Sequence, residues 1–246
     1  MSPARADQPC LLGVLAFGDS ITNGGGELQW GVALQSWALW VARALGLPFT
    51  SYAVDGARAR DVVEQQIPAF RLRSADPEAR YQLGCLYIGV NDVRGPAWDP
   101  TAFEGRFREA LSFLRERCNQ VVTVTAPHDL GRPRTGANVR EMNAAVDRVA
   151  AELGALVVDL RSFRSRNLVM ADHVHLTALG QVAFAERALS LLERHGLHPK
   201  VRPSQLAAFQ TTRWRRLRGD LTYAYRHAKI SARALAVRIA AARSPR

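Results

Sequence analysis

Cysteine is scarce in this chain. Cys10, Cys85 and Cys118 stand far apart with no Cys-x-x-Cys pair, which argues against a disulfide framework and against a zinc site. Each falls in or beside an apolar run and reads as a small buried thiol in a reducing compartment. Long apolar runs are missing too, since none approaches the ~20 residues of a membrane span. Residues 1–9 carry Arg5, Asp7 and Pro9 and pass directly into an apolar run that the fold needs as a strand. No signal peptide is therefore expected, and the protein is expected in the cytoplasm. Acidic residues are the minority, 22 against 33 Lys and Arg, for a net charge of +11. The excess is local: residues 199–246 hold twelve Lys or Arg against one acid, Asp220, while the remainder carries 21 of each and is neutral.

The neutral part alternates short β-branched runs with helical patterns. Strands are expected at residues 11–17, 49–54, 83–88, 120–125 and 155–160. Helices are expected at 36–45, stopped by Gly46; at 60–70, interrupted by Pro68; from Pro100, capped by Asp99, to Arg117; at 139–153, stopped by Gly154; and at 177–194, stopped by Gly196. Near-continuous apolar strands separated by helices imply a parallel sheet covered on both faces. The expected fold is a three-layer α/β/α domain with five parallel strands in flavodoxin-like topology, over residues 1–198. A basic helical extension follows at 199–246.

On such a sheet, ligands bind beyond the carboxyl ends of the strands. Four segments lie there: Gly18-Asp19-Ser20-Ile21-Thr22, Asp55-Gly56-Ala57-Arg58-Ala59, Gly89-Val90-Asn91-Asp92 and Asp172-His173-Val174-His175-Leu176-Thr177. A serine hydroxyl is a poor nucleophile until a base takes its proton, and histidine titrates where that exchange is useful. A carboxylate on the other ring nitrogen fixes the tautomer, and Asp172 and His175, three apart, can be aimed by one tight turn. His173 is the other candidate base. No Gly-x-Ser-x-Gly elbow surrounds Ser20, and the Asn23-Gly24-Gly25-Gly26 run lacks the Gly-Lys-Ser/Thr of a phosphate loop. That run is expected to give the loop freedom to shape a pocket.

In order, spacing and strand context the four segments resemble the blocks of the SGNH hydrolases, or GDSL-type esterases and lipases. The resemblance covers roughly residues 10–195. It implies a serine esterase that works through an acyl-enzyme and needs no cofactor. Ser20 would be the nucleophile, His175 the base and Asp172 its partner. It also implies an oxyanion hole made by the N–H groups of Ser20 and Gly56 and the Asn91 amide. Asp19 would support its loop by hydrogen bonds and Asp92 would do the same in its own. His128, after the fourth strand, and His173 are candidate pocket residues. Val54 and Ala59 stand where the family often has asparagine and a second glycine, which leaves the donor at Gly56 but changes the pocket. Asp172, His173, His175 and Asp19 could be read as a metal site, but the serine reading explains more residues and no metal is expected. Trp30, Trp37 and Trp40 read as core or pocket wall.

In the extension, Trp214, Leu217, Leu221 and Tyr225 follow helical spacing with arginines between them. Such a helix can lie on an anionic membrane surface, dock on the catalytic body, contact a protein, or bind nucleic acid through phosphate charge. No nucleic-acid-binding motif accompanies the charge, so nucleic acid is the least favoured partner. The expected substrate is a small-molecule ester. The alternative is a non-catalytic SGNH-fold binding or scaffold protein acting through its extension.

Overall fold

The computed structural model describes residues 11–74, 76, 79–131, 135–208 and 211–243. Cys10 lies outside the described residues. The chain opens with strand β1 (Val14–Gly18), a short helix α1 (Ser20–Asn23) and a two-residue strand β2 (Gly26–Glu27). Helix α2 (Trp37–Leu45) follows; Ser36 Oγ caps it by accepting the Leu39 N–H, and Gly46 ends it. Edge strand β3 (Phe49–Ser51) is shorter than expected, but Tyr52 and Val54 continue to donate to Ala16 and Gly18 of β1.

The expected break at Pro68 is not a break. Helical winding runs from α3 (Ala59–Asp61) through a π-helical turn, Val62–Gln66, into α4 (Ile67–Arg73). Pro68 sits at the second position of α4, directly after the π turn. Strand β4 (Tyr81–Tyr87), helix α5 (Val90–Arg94) and helix α6 (Pro100–Arg117) come next, with Asp99 accepting from the Thr101 and Ala102 N–H groups. They lead to β5 (Cys118–Thr125), α7 (Thr135–Leu153), β6 (Leu156–Asp159), a two-residue strand β7 (Leu176–Thr177) and α8 (Ala178–Arg194), capped by Thr177.

The main sheet is five-stranded and parallel throughout, in the order β3-β1-β4-β5-β6. This is the flavodoxin-like arrangement, whose switch point falls between β1 and β4. Its inner strands β1, β4 and β5 are buried on both faces over most of their length, while the edge strands β3 and β6 are partly exposed. Phe17, Phe70 and Phe113 pack edge to face on one side, while Trp37 stacks on Phe184 on the other, with ring centroids 4.4 Å apart. Trp37 and Trp40 are thus core, and Trp30 is half-buried in a loop. Buried Cys85 and Cys118 are free thiols, and burial pushes the Cys118 pKa up to about 12.

Beyond α8 the chain stays on the body for a stretch. Lys200 N–H donates to Ala44 at 2.7 Å, Arg202 pairs with Glu186 and Glu193, and Ser204 bonds Glu186 just before the end of α9 (Pro203–Leu206). The last element is α10 (Arg213–Arg243), a single helix that runs through Gly219. No helix among the described residues is long and apolar enough to cross a membrane.

Candidate active site

Ser20 sits just past β1, and its position is fixed by buried bonds to the backbone on either side. Asp19 caps α1, with Oδ1 accepting the Ile21 N–H at 3.0 Å. Gln66, from the π turn, holds both polar groups of Gly18: Oε1 accepts its N–H at 3.0 Å and Nε2 donates to its carbonyl at 2.8 Å. Gln181 of α8 reaches in from the other side. It donates to the carbonyls of Ile21 at 3.1 Å and Gly25 at 3.4 Å and accepts the Trp37 N–H at 2.8 Å.

His175 reaches Ser20 because β2 pairs with β7, in the register Gly26 with Leu176. Only glycine fits at 26: a Cβ there would stand 2.2 Å from the Leu176 carbonyl oxygen. The Asn23–Gly26 run therefore does not supply loop freedom as expected. It makes a tight turn, with Gly25 N–H donating to Ser20 at 2.6 Å, and ends in a strand pair. Asp172 Oδ1 accepts the N–H groups of Val174 at 2.9 Å and His175 at 3.0 Å, so the carboxylate organises the turn that presents the ring. Its Oδ2 lies 2.7 Å from His175 Nδ1, and His175 Nε2 lies 2.9 Å from Ser20 Oγ. With Nδ1–H donating to the carboxylate, Nε2 is left to accept the serine hydroxyl. The Asp172 bond raises the His175 pKa above the usual 6.5, against burial. Burial alone would raise Asp172, but its bonds from the His175 ring and from the two N–H groups outweigh this and hold the carboxyl below its ordinary range.

The second and third segments close on the first. Gly18 pairs with Tyr87 in the β1–β4 register, which sets the loops holding Ser20 and Asn91 side by side. Asn91 Nδ2 donates to the Ala57 carbonyl at 3.0 Å, which fixes the amide and leaves its second hydrogen. Asp92 acts across loops, since both its oxygens accept the Ala59 N–H at 3.2 Å. Gly56 takes φ +77°, and its exposed N–H donates to no group among the described residues.

His173 and His128 stand outside this chain of bonds. His173 Nδ1 lies 3.1 Å from Asp129 Oδ2, and its ring is 5.3 Å from that of His227 on α10. His128 is exposed, and among the described residues its N–H donates to the Arg161 carbonyl. Among the described residues no group of three or more His, Cys, Asp or Glu is placed to hold a metal ion.

The GDSL-like Lipase/Acylhydrolase family matches residues 16–183. The chain belongs to this family. Its fold is similar to a member of the lipolytic protein G-D-S-L family from Veillonella parvula (22% identity, TM-score 0.59, covering 74% of this chain and 98% of that one). It is also similar to an alpha/beta hydrolase enzyme from the metagenome of Lake Arreo, Spain (18%, 0.58, 76% and 97%). A third is a variant of an acetyl xylan esterase from Geobacillus stearothermophilus (17%, 0.57, 75% and 94%). No curated protein sequence matches.

Within this GDSL-like chain, two features of the site escape motif reading. Gln66 and Gln181 are buried amides on helices, and their partners are backbone groups far away in sequence. The only hint is a glutamine on the apolar face of each helix. Asp19 is the other feature. It is almost fully buried, its Oδ2 has no hydrogen-bond partner among the described residues, and burial raises its pKa to about 7. Asp92 is raised by burial to about 6. The site thus carries less negative charge at neutral pH than its three aspartates suggest.

Proposed function

We propose that this GDSL-like hydrolase is a serine esterase acting on carboxylic esters of small molecules. Ser20 attacks the acyl carbonyl while His175 takes its proton and Asp172 steadies the imidazolium. The oxyanion is met by the N–H groups of Ser20 and Gly56 and by the free hydrogen of the Asn91 amide. His175 then returns the proton to the leaving alcohol and activates the water that frees the acid from the acyl-enzyme. Residues 1–198 serve as the catalytic domain and 199–246 as an appended basic element. The free buried thiols suit a reducing compartment, and we assign the protein to the cytoplasm.

The observation that carries this reading is the unbroken run of hydrogen bonds from Asp172 through His175 to Ser20, at 2.7 and 2.9 Å. Hydrolysis of p-nitrophenyl acetate by wild type and Ser20→Ala tests it. The variant is expected to fold as wild type does and to lose turnover to near background. Retained turnover in a folded Ser20→Ala protein contradicts it.

A further inference from the structure

Helix α10 has three different faces. Asp220, Tyr223, His227 and Ile230, spaced three, four and three apart, are partly covered and turn toward the body. There Asp220 pairs with Arg166 and His227 lies against His173. A second face carries Arg215, Arg218, Lys229 and Arg233. It lines a groove of about 560 Å³ whose other wall includes Trp30, Met170 and Asp172. These four cations make no ion pair among the described residues. The third face points away from the body and is apolar. Trp214, Leu217, Leu221 and Tyr225 are spaced three, four and four apart, and Leu235 extends the line; Trp214 is 77% and Tyr225 67% exposed.

A continuous line of large apolar side chains marks a surface with a partner. Charge decides which one. Between residues 213 and 233 there are seven Lys or Arg and one acid, Asp220, already paired with Arg166. A second copy of this helix laid on the stripe would bring two such rows of cations together. Nucleic acid would satisfy the cations and leave the stripe in water. An anionic bilayer satisfies both, with the apolar face entering the acyl boundary and the cations reaching the headgroups. We propose that α10 lies in the surface of an anionic lipid bilayer, which sets the groove beside Asp172 next to the headgroup layer. If the esterase reading holds, esters dissolved in the lipid phase have a route to the site.

Flotation of the full-length protein with phosphatidylcholine vesicles, with and without phosphatidylglycerol, tests the proposal. The protein is expected to float with the anionic vesicles and not with phosphatidylcholine alone. A variant carrying Trp214→Ser, Leu217→Ser, Leu221→Ser and Tyr225→Ser should lose at least about ten-fold in binding, because the inserted area is gone. It should hydrolyse a soluble ester as wild type does. A second variant, with Arg215→Gln, Arg218→Gln and Lys229→Gln, should also lose binding. Absence of flotation with anionic vesicles overturns the proposal. So does equal flotation of the serine variant, which would leave charge alone as the attraction, or a dimer that the serine variant dissolves in a protein that ignores vesicles. Binding needs no turnover: Ser20→Ala protein should float too, so membrane binding and esterase activity can fail separately.

Discussion

Around Ser20 the groups that hold the backbone are buried amides, Gln66 and Gln181, each bonded to two or three main-chain groups. Along α10 they are exposed ion pairs, Arg226 with Glu27 and Arg166 with Asp220, together with the contact of two histidine rings. A buried amide cannot exchange its partners for water, so losing it leaves orphaned groups behind. An exposed ion pair can make that exchange and contributes about 0–1 kcal/mol. The molecule therefore spends rigid bonding where atoms must stay within a hydrogen bond of one another. The basic helix is fastened by contacts that can be remade when it meets a partner. The two regions also touch: Glu27 belongs to β2, which pairs with the strand following His175.

Four variants sharpen that contrast. The largest effect is expected from the two loop histidines. His175→Ala should lower kcat by about 10⁴–10⁶, whereas His173→Ala, which among the described residues loses Asp129 and the ring on α10, should stay within a few-fold of wild type. Equal losses in ester turnover would merge the two roles. Next comes Gln181→Leu. It strips partners from one N–H and two carbonyls in the buried layer beneath Ser20, and should cost about 1–3 kcal/mol in denaturant unfolding, with reduced turnover. An unchanged midpoint and kcat would mean that the clamp does not set the geometry. The smallest is Arg226→Gln on α10. Unfolding free energy should move by less than about 0.5 kcal/mol, with soluble-ester turnover unchanged. A large loss there would mean that α10 braces the site through β2.

The same contrast explains what could be read in the sequence. The sheet was legible because its inner strands are buried on both faces and read as plain apolar runs. Ser20 and Asn91 were legible because each comes shortly after a buried strand, and Asp172 with His175, well beyond β6, because of their spacing of three. The β2–β7 pair was not: two residues per strand leave no alternation to detect, and the glycine run that makes it suggested looseness. The π turn was hidden as well, since Pro68 drew the expected break to itself while the wider turn falls just before it and aims Gln66 inward. The stripe on α10 was visible as spacing, but spacing alone does not say which face turns to the body. That became clear only from Asp220 and His227 meeting Arg166 and His173.

Labelling with a fluorophosphonate probe across a range of pH, read by intact mass and peptide mapping, tests the central claim most directly. The hydroxyl reacts when Nε2 of His175 is unprotonated, and the Asp172 bond raises that ring above its usual 6.5. The expected result is one adduct, on Ser20, with a rate that climbs as pH rises through a midpoint above that value. No adduct, or an adduct on any other residue, would contradict the assignment of Ser20, His175 and Asp172 as one working unit.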